Sequence, residues 1–498
     1  MKHLLSFLLS LLIIQSLPAT PLPEREERKT IDRIEDKTTV IQGKKVLYDM
    51  YKGHIPIKSR NKKIKADMGF IAYVAHNNTP HERPIAFCFN GGPGSSSIWL
   101  HMGLLGPKIL QCTHNDPTSS ITKKENHLSP LALTDLVFID PIGTGFSRSE
   151  DPDKASTFYG VEEDLFSIAE FIRSFLTQFN RWQSPKVLIG ESYGSFRAAG
   201  LAHILQDHFS IDTNALILIS LALNIDSLET DHTFDLPCIT RLPTYAAIAH
   251  YHHQNDIPLK KVIEESTRFA IEQYGPALSL GDRISQSHKE QIAEQLSQLI
   301  FLPKSLILDH HLRIEPNLFS STILPDRAVG RYDGRITRWK SFEGDGYSNR
   351  SFYPDPSMYA YSATFTAAFQ EYLAQDLNWK TTIPYIILNN RVSRLWNWDA
   401  PGGPDQGFGY ASCQQTLRLA MAKNPKLKIF VAAGYYDLAT PYLSQEHAIS
   451  HLLLAKPLQK NITFKGYSGG HMMYLTPSIH AKLSDDMRIF IENLHPSS

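Results

Sequence analysis

Val187-Leu188-Ile189 runs into Gly190-Glu191-Ser192-Tyr193-Gly194, and a helical pattern follows through Phe196, Ala199, Gly200, His203 and Ile204. An apolar run, a tight glycine-bounded turn and a helix predict a strand ending in a sharp bend with a serine at its tip. The bend lifts the serine hydroxyl clear of the sheet, and the glycines two residues to either side remove the side chains that would collide there. The pentapeptide by itself also fits an ordinary glycine-rich turn that packs a helix onto a sheet. Its flanks are what make Ser192 a candidate nucleophile, provided that partners for it lie elsewhere in the chain.

The surroundings repeat the same alternation. Residues Thr38 to Ile57 and Gly69 to Ala75 have the alternating, β-branched character of antiparallel strands. Pro84 to Phe89 is a buried strand that opens into Asn90-Gly91-Gly92-Pro93-Gly94-Ser95-Ser96-Ser97, a turn that exposes several backbone amides in one place. Asp135 to Ile139 is a further strand, followed by Gly143-Thr144-Gly145-Phe146-Ser147. Between Val161 and Phe179 apolar residues keep helical spacing, with Glu162, Glu163 and Asp164 in the first turn, where acids suit the helix dipole. Ala215 to Ser220 is again short and apolar. Nearly continuous apolar strands alternating with helices predict an α/β fold with a mostly parallel central sheet covered on both faces.

From about Asn224 to Asp399 the alternation stops. Helical patterns near Tyr245 to His252, Leu259 to Gln273 and His288 to Ile300, with proline-broken loops and aromatic residues around Phe352 to Phe369, predict an inserted, largely helical cap. The expected organisation is a leader at 1–20, a first core part at 21–223, the cap at 224–399 and a second core part at 400–498. His252-His253 and Asp309-His310-His311 lack a recognised ligand spacing and are expected to be surface or packing residues. No metal site is predicted.

The regular pattern returns with Leu427 to Ala432, leading to Gly434-Tyr435-Tyr436-Asp437, and with Ile462 to Phe464, leading to Gly469-Gly470-His471. The order is therefore Ser192, then Asp437, then His471, which is the chain order of an α/β-hydrolase. Serine is a poor nucleophile at its own pKa. His471 would take its proton as general base, and Asp437 would hold the imidazole in the useful tautomer. Backbone amides of Gly92 and of Tyr193, the residue after the serine, would bind the developing oxyanion. Such chemistry is acyl transfer and needs neither a metal nor an organic cofactor.

Lysine plus arginine equals aspartate plus glutamate, 50 against 50, so no net field points to nucleic acid or to an anionic membrane surface. The start of the chain has a short basic head, Met1-Lys2-His3, and an apolar stretch from Leu4 to Leu17. Pro18-Ala19-Thr20 follows, and the pattern is that of an export signal cleaved near Ala19, too short to span a membrane comfortably. An uncleaved anchor is the other reading of that stretch. The expected location is periplasmic or extracellular, with no stable membrane insertion after cleavage. Four cysteines, Cys88, Cys112, Cys238 and Cys413, permit one or two disulfides in an exported chain, and Cys88 inside the apolar run Ile85 to Phe89 is expected to be a buried thiol.

Asn90 to Ser96, Gly143 to Ser147, Gly190 to Gly194 and Gly470-His471-Met472 together resemble the serine carboxypeptidase family, which includes cathepsin A and carboxypeptidase Y. The resemblance runs from about residue 66 to the C-terminus and is weakest in the cap. It implies an α/β-hydrolase fold with a helical insertion and removal of C-terminal residues from peptides, often best at acidic pH. In the family, the residues matching Asn90, Gly91 and Glu191 hold the terminal carboxylate of the peptide. Two carboxyl groups can hydrogen-bond only by sharing a proton, so Glu191 would have to be protonated to bind, which accounts for the acid preference. Two positions depart from the family. Leu104 stands before Leu105-Gly106-Pro107 where eukaryotic members carry a second glutamate, and Ser95 stands where they carry a disulfide cysteine, which suggests a bacterial type.

The expected activity is that of a serine carboxypeptidase-like hydrolase acting on peptides or proteins. An esterase or acyltransferase using the same triad is the alternative, and a catalytically silent binding protein on this fold is a third. Relatives include dimers, which leaves a homodimer open.

Overall fold

A computed structural model describes residues 31–76, 79, 81–228, 234–254, 256–340, 355–398 and 411–494. The predicted leader at 1–20 lies outside them. So do parts of the stretch read as the cap, including Phe352 and Asp399.

A ten-stranded sheet runs through the molecule. Its path begins with three antiparallel strands, Asp32–Ile41, Lys44–Lys58 and Lys65–Ala75. It continues through Asp135–Ile139, Ile85–Phe89, Lys186–Glu191, Ala215–Ile219, Lys428–Gly434 and Ile462–Tyr467. From Asp135–Ile139 onward every neighbouring pair on this path is parallel. The central parallel strands are apolar because both of their faces are covered. Ile85–Phe89, Asp135–Ile139 and Ala215–Ile219 are buried at every residue.

One face carries the helices Val161–Gln178 and Tyr193–Phe209, with Phe171, Phe175 and Leu205 in a shared core. The other carries Pro477–Glu492, with Leu483 and Met487 inward. Two-sided coverage of a mostly parallel sheet, with a strand–turn–helix at Lys186–Phe209, is the α/β-hydrolase fold.

The long segment between the strands Ala215–Ile219 and Lys428–Gly434 divides into two by its packing. Helices Leu236–His253, Leu259–Phe269 and Gln286–Ile300 build a cluster of their own around Leu242, Phe269, Leu296 and Phe319. Helix Pro356–Gln375 does not join it. It lays Phe365, Phe369 and Tyr372 against the main core, where Phe365 lies 4.7 Å from Trp99 between ring centres. Aromatic spacing along this helix makes one face too apolar for an outlying position. His252 donates to the carbonyl of Gly334 at 2.7 Å, and His253 stacks on Phe301 at 4.4 Å. All four cysteines are buried free thiols, so the disulfides that an exported chain permits are not formed. Among the described residues, no helix is long and apolar enough to cross a membrane.

Candidate active site

Ser192 sits between the strand Lys186–Glu191 and the helix Tyr193–Phe209 with φ 59° and ψ −131°, a backbone conformation that ordinary residues avoid. Its N–H donates to Ile219 O on the next strand at 2.9 Å, which ties the strained residue to the sheet. The flanking glycines are required by close approach. A Cβ on Gly190 would lie 2.0 Å from Gly194 O, and one on Gly194 would lie 2.4 Å from Phe89 O.

Asp437 and His471 leave the ends of the next two parallel strands. Asp437 has no exposed surface. Its Oδ1 accepts from the amides of Ala439 at 2.8 Å and Thr440 at 3.0 Å, and its Oδ2 accepts from Thr440 Oγ1 at 2.6 Å. The same Oδ2 lies 2.6 Å from Nδ1 of His471. Burial alone would lower the imidazole pKa, but the charge and hydrogen bond of Asp437 outweigh it and leave His471 raised above its ordinary value. Backbone bonds fix the histidine further: its N–H donates to Tyr332 O at 2.6 Å, and its carbonyl accepts from Ser220 Oγ at 2.7 Å. The ring of Tyr332 meets the imidazole edge-on at 5.1 Å.

The glycine-rich loop lies directly over the serine turn. A Cβ on Gly91 would stand 2.4 Å from the backbone nitrogen of Tyr193, so only glycine brings these two amide-bearing segments together. Gly92 has φ +104°. Residues 386–393 clasp the loop from outside: Ser96 N donates to Ile387 O at 2.9 Å and Asn389 N to Gly94 O at 2.8 Å. Asn389 Nδ2 also reaches Gly143 O at 2.8 Å, joining the second glycine motif to the first. That motif is built around Asp140, whose Oδ1 accepts from Ser97 N at 2.9 Å and from Tyr385 Oη at 3.0 Å. Burial pushes Asp140 up to about 6 against those bonds.

Asn90 and Glu191 meet beneath the loop. Asn90 Nδ2 donates to Glu191 Oε2 at 2.8 Å, and Glu191 is 2% exposed. Burial raises the Glu191 carboxyl to about 7, although the charge of His471 and the hydrogen bonds of Tyr474 and Asn90 pull the other way. The structure thus brings Ser192, Asp437, His471, Gly91, Gly92, Tyr193, Asn90 and Glu191 to one end of the parallel strands.

Sequence reasoning missed several residues of this assembly. Arg197, fully buried, donates through Nε to Asp164 Oδ2 at 2.6 Å and through a terminal nitrogen to Asn90 O. A lone arginine in the apolar helix after Ser192 was the available signal. Tyr474 donates to Glu191 Oε2 at 2.7 Å, and Tyr332 and Thr440 frame His471 and Asp437. No spacing rule marks these three.

Residues 41–233, which hold Asn90, Glu191 and Ser192, match the family pattern described as serine carboxypeptidase. Over that stretch the chain is similar to the serine carboxypeptidase family. Asp437 and His471 lie beyond the matched stretch and are placed by the sheet. Among curated relatives, a pheromone-processing carboxypeptidase of Saccharomyces cerevisiae is 26% identical over 199 residues, 38% of this chain and 26% of that one. A venom serine carboxypeptidase of Apis mellifera is 30% identical over 193 residues, 38% of each chain. The matched stretch therefore spans well under half of these serine carboxypeptidases. Among solved structures, a proline iminopeptidase of Mycobacterium smegmatis covers 89% of this chain and 98% of its own at 12% identity and TM-score 0.35. A thermostable carboxyl esterase of Bacillus coagulans gives 89%, 98%, 12% and 0.36 for the same quantities.

Proposed function

We propose that this chain is an exported serine carboxypeptidase-like hydrolase that removes C-terminal residues from peptides through an acyl-enzyme on Ser192. Ser192 Oγ attacks the carbonyl of the last peptide bond while His471 takes its proton, and Asp437 stabilises the imidazolium that results. The amides of Gly92 and Tyr193 receive the developing oxyanion. His471 then protonates the departing amino acid, and water reverses the sequence to release the shortened peptide.

The observation that carries this reading is the buried Asn90–Glu191 pair. A carboxyl group with its pKa near 7 stays neutral across the mildly acidic range and can donate a hydrogen bond to a substrate carboxylate there, where an ordinary exposed glutamate would be ionised. Binding of a free-acid peptide is accordingly expected to strengthen toward acidic pH. Mass spectrometry of a peptide digest tests the reaction class: single free amino acids shed in order from the C-terminus support it, and internal cuts or an intact peptide count against it.

Leu104 favours a second reading. It places a buried aliphatic side chain at the position aligned with the family's second glutamate, which fits an esterase or acyltransferase that does not select a free carboxylate. The export reading rests on the sequence of residues 1–20. Comparing the N-terminus of the mature protein with the encoded one tests it.

A further inference from the structure

Glu191 receives two hydrogen bonds at a single oxygen. Asn90 Nδ2 and Tyr474 Oη both donate to Oε2, at 2.8 and 2.7 Å. The orientation of the asparagine amide is fixed, because its Oδ1 accepts from Leu100 N at 3.0 Å. Two donors aimed at Oε2 make that oxygen the poorer seat for a proton, so the neutral acid carries its hydrogen on Oε1.

Tyr474 comes from the short turn Met473–Leu475, just beyond His471. Its ring is wholly buried and lies against Gly103, where a Cβ would stand 2.4 Å from Cε2. The glycine is thus what admits the phenol. The next residue, Leu104, lines a small cavity with Ile41, Leu128 and Met487 and offers no polar group. Burial, with Glu191 beside it, pushes the phenol far above its ordinary pKa, so it remains a donor throughout the working range. The charged or titratable groups that act on Glu191 are His471, Asp437 and Tyr474. A phenol in this place adds a hydrogen bond without adding a negative charge.

We propose that Tyr474 is the positioning residue of the carboxylate-recognition site: by holding Oε2 it keeps the Glu191 proton on Oε1, aimed at the terminal carboxylate of the substrate, with no second acid. This rests on the carboxypeptidase reading above. It predicts that one carboxyl titration, that of Glu191, governs recognition of the free acid.

The test compares wild type and Tyr474→Phe on an N-blocked dipeptide and on its C-terminal amide, with sites counted by a fluorophosphonate that labels Ser192. The ring is kept, so Gly103 stays covered. For the free acid at acidic pH the variant is expected to raise KM about tenfold with kcat little changed, the size of one ordinary hydrogen bond. KM for the amide should not move. The pH at which KM for the free acid climbs should shift upward, since the tyrosine bond holds the Glu191 pKa down. Equal effects on acid and amide, or no effect on either, would overturn the proposal while leaving a wild type that prefers the free acid. A wild type indifferent to the terminal carboxylate would remove the carboxypeptidase reading and the proposal with it.

Discussion

Asn90 Nδ2 donates a 2.8 Å hydrogen bond to Oε2 of Glu191, a residue 101 positions later in the chain. The bond joins the end of one parallel strand to the end of its neighbour, so the glycine-rich loop and the serine turn share a polar floor. Arg197 lies in the same place, bonded to the carbonyl of Asn90 and to Asp164. Burial of that floor is what raises Glu191 to about 7.

The pH profile follows from the two raised groups. Under the proposed function Glu191 would bind a carboxylate only when protonated, so that contribution would be present below about pH 7 and be lost as pH rises through it. His471 acts as a base only when neutral, so its contribution grows as pH rises through its own raised value. For a free-acid peptide, kcat/KM should therefore trace a narrow bell. For the matching C-terminal amide it should rise and then stay level. Glu191→Gln should abolish the alkaline fall, which steady-state kinetics across the range will check.

Asp437→Asn should lower kcat by about 10⁴ while leaving the fold in place. The asparagine oxygen can still accept from the amides of Ala439 and Thr440, but the amide cannot hold His471 as the carboxylate does. Circular dichroism together with kcat distinguishes this from unfolding.

Removal of Arg197 should cost stability before it costs chemistry. Arg197→Met strands Asp164 in the core without its partner, a loss of about 3–5 kcal/mol. Replacing both, Arg197→Met with Asp164→Leu, should recover much of that. Denaturant unfolding of the single and double variants checks the ordering.

Gly91→Ala should be nearly inactive, with kcat down at least about 10²-fold, the scale of one lost oxyanion donor. The new methyl would fall 2.4 Å from Tyr193 N, so one of the two amide-bearing segments must move. The fluorophosphonate labelling rate is the direct readout.

The elements nearest Ser192 were legible because local chemistry dictates them. An apolar run such as Ala215–Ile219 can only be a covered strand, and Gly190 and Gly194 mark a turn that tolerates no side chain. Asp437 and His471 were legible through chain order. Tyr474, Arg197 and Tyr332 were not, because their roles depend on which side of a turn or helix faces the floor of the site. The same holds for Pro356–Gln375, whose aromatic residues announced a buried face but not the core it would join. The clasp at 386–393 was hidden for a like reason, since backbone bonds such as Asn389 N to Gly94 O leave no trace in composition.

The central claim is that the Asn90–Glu191 pair selects a terminal carboxylate. It is tested most directly by kcat/KM for one N-blocked dipeptide against its C-terminal amide at pH about 5, below the Glu191 value of about 7, where a neutral Glu191 can share its proton. A preference of about a hundredfold for the free acid, lost in Glu191→Ala, is the expected result, the size of two hydrogen bonds to a charged group. Equal cleavage of acid and amide, or hydrolysis of esters alone, would contradict it.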